Sequence, residues 1–159
     1  MNLLLLSRRT GKALKNKGQT LVTAESCTGG WVAQAVTSVA GSSEWFERGY
    51  VTYSNAAKRE ELGVPEKTLV RHGAVSEATA RAMARGALKA ARGRASIALA
   101  ITGIAGPGGG APGKPVGTVC FAWARGRKMY SVTRRFKGGR ASVRRQSVIH
   151  ALRGVLKCL

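Results

Sequence analysis

The chain has 159 residues, 44% of them apolar, and carries 27 Lys and Arg against 7 acidic residues, for a formal net charge of +20. That length and apolar content exclude a disordered tail and suit one folded domain over residues 1–159. All seven acids are glutamate and every charged residue after Glu77 is basic, a balance that fits an anionic ligand, nucleic acid or a host whose proteins run basic, and does not by itself choose among them.

The apolar run Leu3 to Leu6 is too short for a membrane span or a signal-peptide core, so the expected compartment is the cytoplasm, with no membrane contact. Cys27, Cys120 and Cys158 show no CxxC spacing, and His72 and His150 stand alone. Neither a disulfide framework nor a metal site is signalled.

In chain order, Asn2 to Lys17 alternates leucines and alanines with basic residues at helical spacing, and Gly18 marks its stop. Thr20 to Ala24 is a short β-prone run, Ser26 to Gly30 a turn, and Trp31 to Val39 a helix. A second strand is expected over Gly49 to Ser54 and a helix over Ala56 to Leu62; Ser76 then opens a long helix through Ala91. Ser96 to Thr102 reads as a buried strand, and Gly103 to Pro115 as a glycine- and proline-rich functional loop. Val116 to Trp123 and Met129 to Phe136 form a hairpin across Arg125-Gly126-Arg127, and Ala141 to Leu156 closes the chain as a helix. Interleaved strands and helices with a late hairpin predict an α/β fold, a mixed sheet covered on both faces.

Several residues fit the needs of nucleophilic catalysis, which requires a nucleophile, a proton carrier and donors for the charge that develops. Ser26 follows a strand and precedes Thr28-Gly29-Gly30, whose backbone N–H groups open a helix. It is either a nucleophile beside those donors or the cap of that helix. Cys27 is the rival nucleophile, but no histidine is near it in sequence, and a packed core cysteine is the plainer reading. Tyr53 and Lys58 sit five apart across a strand-to-helix junction and can reach one pocket, where a desolvated lysine serves as base. Their plainer reading is a sheet-edge aromatic and a solvated helix charge. Thr102 ends the buried strand, Gly103 and Gly106 lie in the loop whose backbone can approach a phosphate, and Arg140 precedes the last helix. No Walker sequence or GxGxxG is present, so no cofactor is expected.

Three stretches together resemble one family: Ala24-Glu25-Ser26-Cys27-Thr28-Gly29-Gly30, Trp45 through Asn55, and Thr102-Gly103-Ile104-Ala105-Gly106-Pro107 followed by Lys114-Pro115-Val116-Gly117-Thr118. His72-Gly73-Ala74-Val75-Ser76 and Arg144-Arg145 extend the likeness, which runs from about Gly18 to Ala151. The chain is thereby identified as similar to the CinA C-terminal domain family of nicotinamide-nucleotide amidohydrolases. The resemblance implies a three-layer α/β/α sandwich around a mixed, mostly parallel five-stranded sheet. It implies metal-free hydrolysis of nicotinamide mononucleotide to nicotinate mononucleotide and ammonia, in a homo-oligomer without the molybdopterin-binding-like domain of longer members. The pocket residues it implies are Ser26, Tyr53, Lys58, Thr102 and Arg140; Thr28, Gly29, Gly30, Gly103 and Gly106 are expected around the substrate from the backbone N–H groups of the turn and the glycine loop. The chain departs from the family's Gly-Asp-Arg at Gly138-Gly139-Arg140. The alternative reading is a basic nucleic-acid-binding or scaffold domain that keeps the fold without activity, motivated by the cations crowded around the hairpin.

Overall fold

The computed structural model describes residues 2–159. Helix α1 (Leu3–Asn16) starts where the Asn2 side chain accepts from the Leu5 N–H, and it buries Leu6, Thr10 and Leu14 one turn apart. Strand β1 (Leu21–Glu25) follows, then α2 (Trp31–Thr37), a short 3₁₀ turn (Ser42–Glu44), β2 (Phe46–Val51), α3 (Asn55–Leu62) and α4 (Glu66–His72). The chain continues through α5 (Glu77–Ala90), β3 (Ile97–Gly103), β4 (Thr118–Arg125), β5 (Lys128–Arg135) and α6 (Arg140–Cys158).

The five strands form one sheet in the order β2-β1-β3-β4-β5. β1 pairs parallel with both β2 and β3, whereas β3 with β4 and β4 with β5 are antiparallel. The expected mostly parallel pairing is therefore corrected to an even division. The reason is β4: the loop after Gly103 returns the chain antiparallel beside β3, and the expected hairpin, with Gly126 at positive φ where type II′ turns take glycine, adds β5 antiparallel to β4.

Period-two alternation along the strands divides the core by residue size. Leu21, Ile97, Leu99, Ile101, Phe121 and Trp123 face α1, α2 and α6. Val22, Ala24, Ala98, Ala100, Ala122 and Ala124 face the other way, where α5 lays down Ala80, Met83, Ala84, Ala87 and Ala91. Small residues on both surfaces let α5 sit close to the sheet, while the opposite helices rest on large side chains.

The second strand begins three residues earlier than expected, at Phe46 in place of Gly49. Glu47 and Arg48 hide it, because this is an edge strand whose outward charges pair with each other at 2.6 Å. Helix α4, unforeseen, starts directly after Pro65, which ends the preceding turn and pre-sets the entry. The hairpin strands lie two residues later at β4 and one residue earlier at β5 than the sequence suggested. Gly117 keeps the chain out of β4 with a φ of 90°, a conformation needed to pass beside Phe136.

The parallel strands β2, β1 and β3 all release their chains at one edge, with Val51, Glu25 and Ile101 in register. Ligands of α/β sheets bind outside such carboxyl ends. That edge is where the candidate residues meet.

Candidate active site

Glu25 ends β1 on the face toward α2, so the next residue, Ser26, turns toward α3. The buried Glu25 carboxylate accepts from the N–H groups of Val32 and Ala33 at 2.8 and 3.0 Å and from the Thr28 hydroxyl at 2.7 Å. It thus satisfies the orphan donors of α2, whose N-cap, Gly30, offers no side chain. The capping role considered for Ser26 belongs to Glu25, and the Ser26 hydroxyl is left for other work.

That hydroxyl meets Lys58. Ser54 caps α3 by accepting from the Ala57 N–H, which sets the helix so that Lys58, one turn in, points under the end of the sheet. Its Nζ lies 3.0 Å from Ser26 Oγ, 2.8 Å from the Thr52 carbonyl and 3.1 Å from the Tyr53 carbonyl. Lys58 is only 1% exposed and has no carboxylate partner, and burial lowers its pKa from the ordinary lysine value. The geometry also fixes a direction. A neutral amine keeps two N–H donors, and the two carbonyls can only accept, so its lone pair is left facing the Ser26 O–H.

Around this pair lies a cleft of about 270 Å³. Ser26, Tyr53, Lys58, Thr102, Gly103, Gly106 and Arg140 all line it, as do Cys27 and Ala74. Thr102 is buried at the end of β3 and donates its hydroxyl hydrogen to the Ala74 carbonyl at 2.8 Å, which leaves only its lone pairs for a ligand. Gly103 is required because a Cβ there would stand 2.8 Å from Val119 Cγ2, and Gly106 because a Cβ would meet Val116. Arg140, the first residue of α6, donates to the Gly106 carbonyl at 2.8 Å and to the Tyr53 hydroxyl at 3.1 Å. It bridges the loop and the exposed tyrosine across the mouth of the cleft.

Thr28, Gly29 and Gly30 do not line the cleft. The turn folds back toward α6, where Arg144 donates from Nε to the Cys27 carbonyl and from Nη2 to the Thr28 carbonyl, both at 3.1 Å, while its guanidinium covers the Trp31 ring. Arg144 and Glu25 thus hold the Ser26 turn from two sides. Sequence reading gave neither a role, although a lone acid ending an apolar strand just before a glycine turn is a signal for a buried cap. Cys27 is 5% exposed, and burial pushes its thiol up to about 12, so it stays protonated at neutral pH. Among the described residues no group of His, Cys, Asp or Glu is arranged to hold a metal ion, and no helix is long and apolar enough to cross a membrane.

The model of the CinA C-terminal domain matches residues 5–159. The chain belongs to the CinA C-terminal domain family. Among similar proteins of this family, the nicotinamide-nucleotide amidohydrolase PncC of Escherichia coli K12 is 59% identical over 152 residues, covering 94% of this chain and 90% of that protein. The protein of the same name from Pseudomonas putida is 54% identical over 152 residues, covering 96% and 94%. A crystal structure of a CinA superfamily protein from Klebsiella pneumoniae superposes with a TM-score of 0.95 at 41% identity, covering 99% of this chain and 97% of the other. The CinA C-terminal fold, with its five-stranded mixed sheet between helices, is therefore common to this chain and that structure.

Proposed function

We propose that this chain is a nicotinamide-nucleotide amidohydrolase that converts nicotinamide mononucleotide to nicotinate mononucleotide and ammonia, with Ser26 as nucleophile and Lys58 as base. The observation that carries the reading is the buried Lys58 amine, held by two carbonyls and turned onto the Ser26 hydroxyl at the floor of a cleft. The relatives named for this activity, similar over nearly the whole chain, supply the substrate.

In this mechanism neutral Lys58 takes the Ser26 proton as Oγ bonds to the carboxamide carbon, and the carbonyl electron pair moves onto oxygen. In this reading the Cys27 N–H, in the turn beside Ser26, donates to that oxyanion, and Arg144 steadies the peptide units on either side of Thr28. Thr102, able only to accept, takes an N–H of the carboxamide and so orients its nitrogen toward Lys58. The Lys58 ammonium then gives its proton to that nitrogen as the C–N bond breaks and ammonia leaves. Water, deprotonated by Lys58, attacks the Ser26 ester; the Lys58 ammonium returns that proton to Ser26 Oγ as the Oγ–C bond breaks, and the freed carboxylic acid loses its proton to solvent. Arg140 and the first N–H groups of α6 receive the phosphate at the cleft mouth.

The test is ammonia release from nicotinamide mononucleotide by the purified protein with a chelator present, compared with Ser26→Ala and Lys58→Ala. Each variant should lose at least about a thousandfold in kcat while keeping its circular dichroism spectrum. No release by the unaltered protein would overturn the reading. A burst of ammonia ahead of nicotinate mononucleotide would separate the acyl-enzyme from direct attack by water.

A further inference from the structure

A concentration of unpaired charge lies away from the cleft. Residues 128, 130, 132 and 134 of β5 share one face of the sheet edge, presenting Lys128, Tyr130, Val132 and Arg134. On α6, residues 150, 153, 154 and 157 share one helical face and present His150, Arg153 and Lys157 toward that edge. Between them runs a trough of about 430 Å³, floored by Trp123 and by Gly154, whose missing side chain lets the helix approach the indole. A second hollow, lined by Arg127, Lys128, Tyr130 and Lys157, continues it past the hairpin.

The trough contains no acidic side chain, and none follows Glu77 in the sequence; the terminal Leu159 oxygen beside the second hollow already accepts from Lys17 and Arg125. Arg134, Arg153 and Lys157 form no ion pair; the carboxylates that do so hold Lys15, Arg48 and Arg59 elsewhere. Placing cations together without counter-charge costs stability through self-repulsion. Here it is felt at His150, whose pKa is lowered to about 4 by burial and then by those same three cations. Tyr130, which lines both hollows, is 51% exposed. A line of cations flanking an exposed aromatic face is the chemistry of single-strand nucleic-acid grooves, which pair phosphates with Lys and Arg and stack bases on rings. A second copy of the chain would bring like charge to like. An acidic polypeptide would satisfy the cations but leave the ring unused.

We propose that the β5–α6 trough binds a short segment of single-stranded nucleic acid, with Arg134, Arg153 and Lys157 on phosphates and Tyr130 stacked on a base. The surface is distinct from the amidohydrolase cleft and does not depend on that reaction.

The experiment measures binding of a labelled oligothymidylate to the full chain by fluorescence anisotropy over a range of salt. Three variants are compared: Tyr130→Ser, the triple variant Arg134→Gln/Arg153→Gln/Lys157→Gln, and a control, Arg8→Gln/Arg9→Gln/Lys12→Gln, that removes as much charge from the exposed face of α1. All altered side chains except Tyr130 are solvated charges, so the fold should hold, and circular dichroism checks it. Tyr130→Ser should weaken binding by roughly fivefold or more with little change of salt slope. The trough triple variant should lower the log–log salt slope by about 2, with the α1 control near the unaltered protein. Equal losses in the two triple variants, or binding insensitive to Tyr130→Ser and matched by competing polyglutamate or anionic vesicles, would overturn the proposal in favour of unspecific attraction by net charge.

Discussion

Glu25 and Ser26 are neighbours in sequence whose side chains leave β1 in opposite directions, the carboxylate into the N-terminus of α2 and the hydroxyl onto Lys58 of α3. The alternation of a β-strand thus separates a structural task from a chemical one at adjacent positions. Removing the carboxylate should loosen the turn that carries the hydroxyl. Glu25→Ala is expected to lower the urea unfolding free energy by about 2–4 kcal/mol, and Glu25→Gln by about half that, since one acceptor oxygen remains. If Glu25→Ala unfolds at the same urea concentration as the unaltered protein, the cap carries no weight.

Cys27 lines the same cleft as Ser26, so the two nucleophile assignments need separating. Because its thiol is pushed up to about 12, essentially no thiolate exists at neutral pH. Cys27→Ala should keep kcat within about tenfold, the residual loss reflecting packing around a small cavity. Iodoacetamide should leave the activity of the native protein intact at pH 7. Rapid inactivation that tracks modification of Cys27 would contradict both expectations.

The pH profile reports on Lys58. Its pKa is lowered by burial, and the reaction needs the neutral amine, so kcat/KM should rise with pH through a midpoint below 10.5. The stability sign follows the same shift: between the folded and unfolded pKa values the unfolded chain binds the extra proton, so this group favours folding increasingly as pH rises through that window. In Lys58→Met the rising limb of activity should be lost with most of the turnover, and the fold should be no less stable at neutral pH, because a buried ionisable amine is replaced by an apolar chain of similar length. A rising limb surviving in the variant's residual activity would assign it to another group.

Gly139 stands at the N-cap of α6 in extended backbone and supplies no side-chain cap. A Cβ added there meets nothing within 4 Å. Gly139→Asp should therefore stabilise the protein by about 0.5–1 kcal/mol through the cap, the helix end and the reduced freedom of the unfolded chain. Thermal unfolding at pH 7 and at pH 3 tests the mechanism, since the gain should shrink once the aspartate is protonated. With the carboxylate one residue from Arg140, a change in KM rather than kcat is the expected kinetic effect.

His150 ties stability to mild acid. Its pKa falls from 6.5 to about 4 in the folded chain through burial and the surrounding cations. The contribution is complete above about pH 6.5 and is lost as pH drops toward 4, where the unfolded state takes up the proton first. Over that window the unaltered protein should lose on the order of 1–3 kcal/mol relative to His150→Phe, measured by urea denaturation at pH 7 and pH 4.5. Parallel stability curves for the two proteins would remove His150 from the account.

Apolar periodicity and glycine punctuation were enough to determine the order of strands and helices apart from α4, the Gly126 hairpin, and the placing of Ser26, Tyr53, Lys58, Thr102 and Arg140 near element ends. Those signals are local, and the physical rules behind them act over a few residues. Tertiary structure alone decided which hydroxyl had a helix to cap, because the choice between Glu25 and Ser26 rests on which sheet face α2 occupies. It also decided that Lys58 is buried rather than solvated. Three parallel strands ending together bring the Thr52 and Tyr53 carbonyls and Ser26 around one amine. Arg144, 117 residues from the Cys27 carbonyl it holds, could not be read from spacing at all, since a long-range hydrogen bond exists only once the sheet has brought α6 beside the turn.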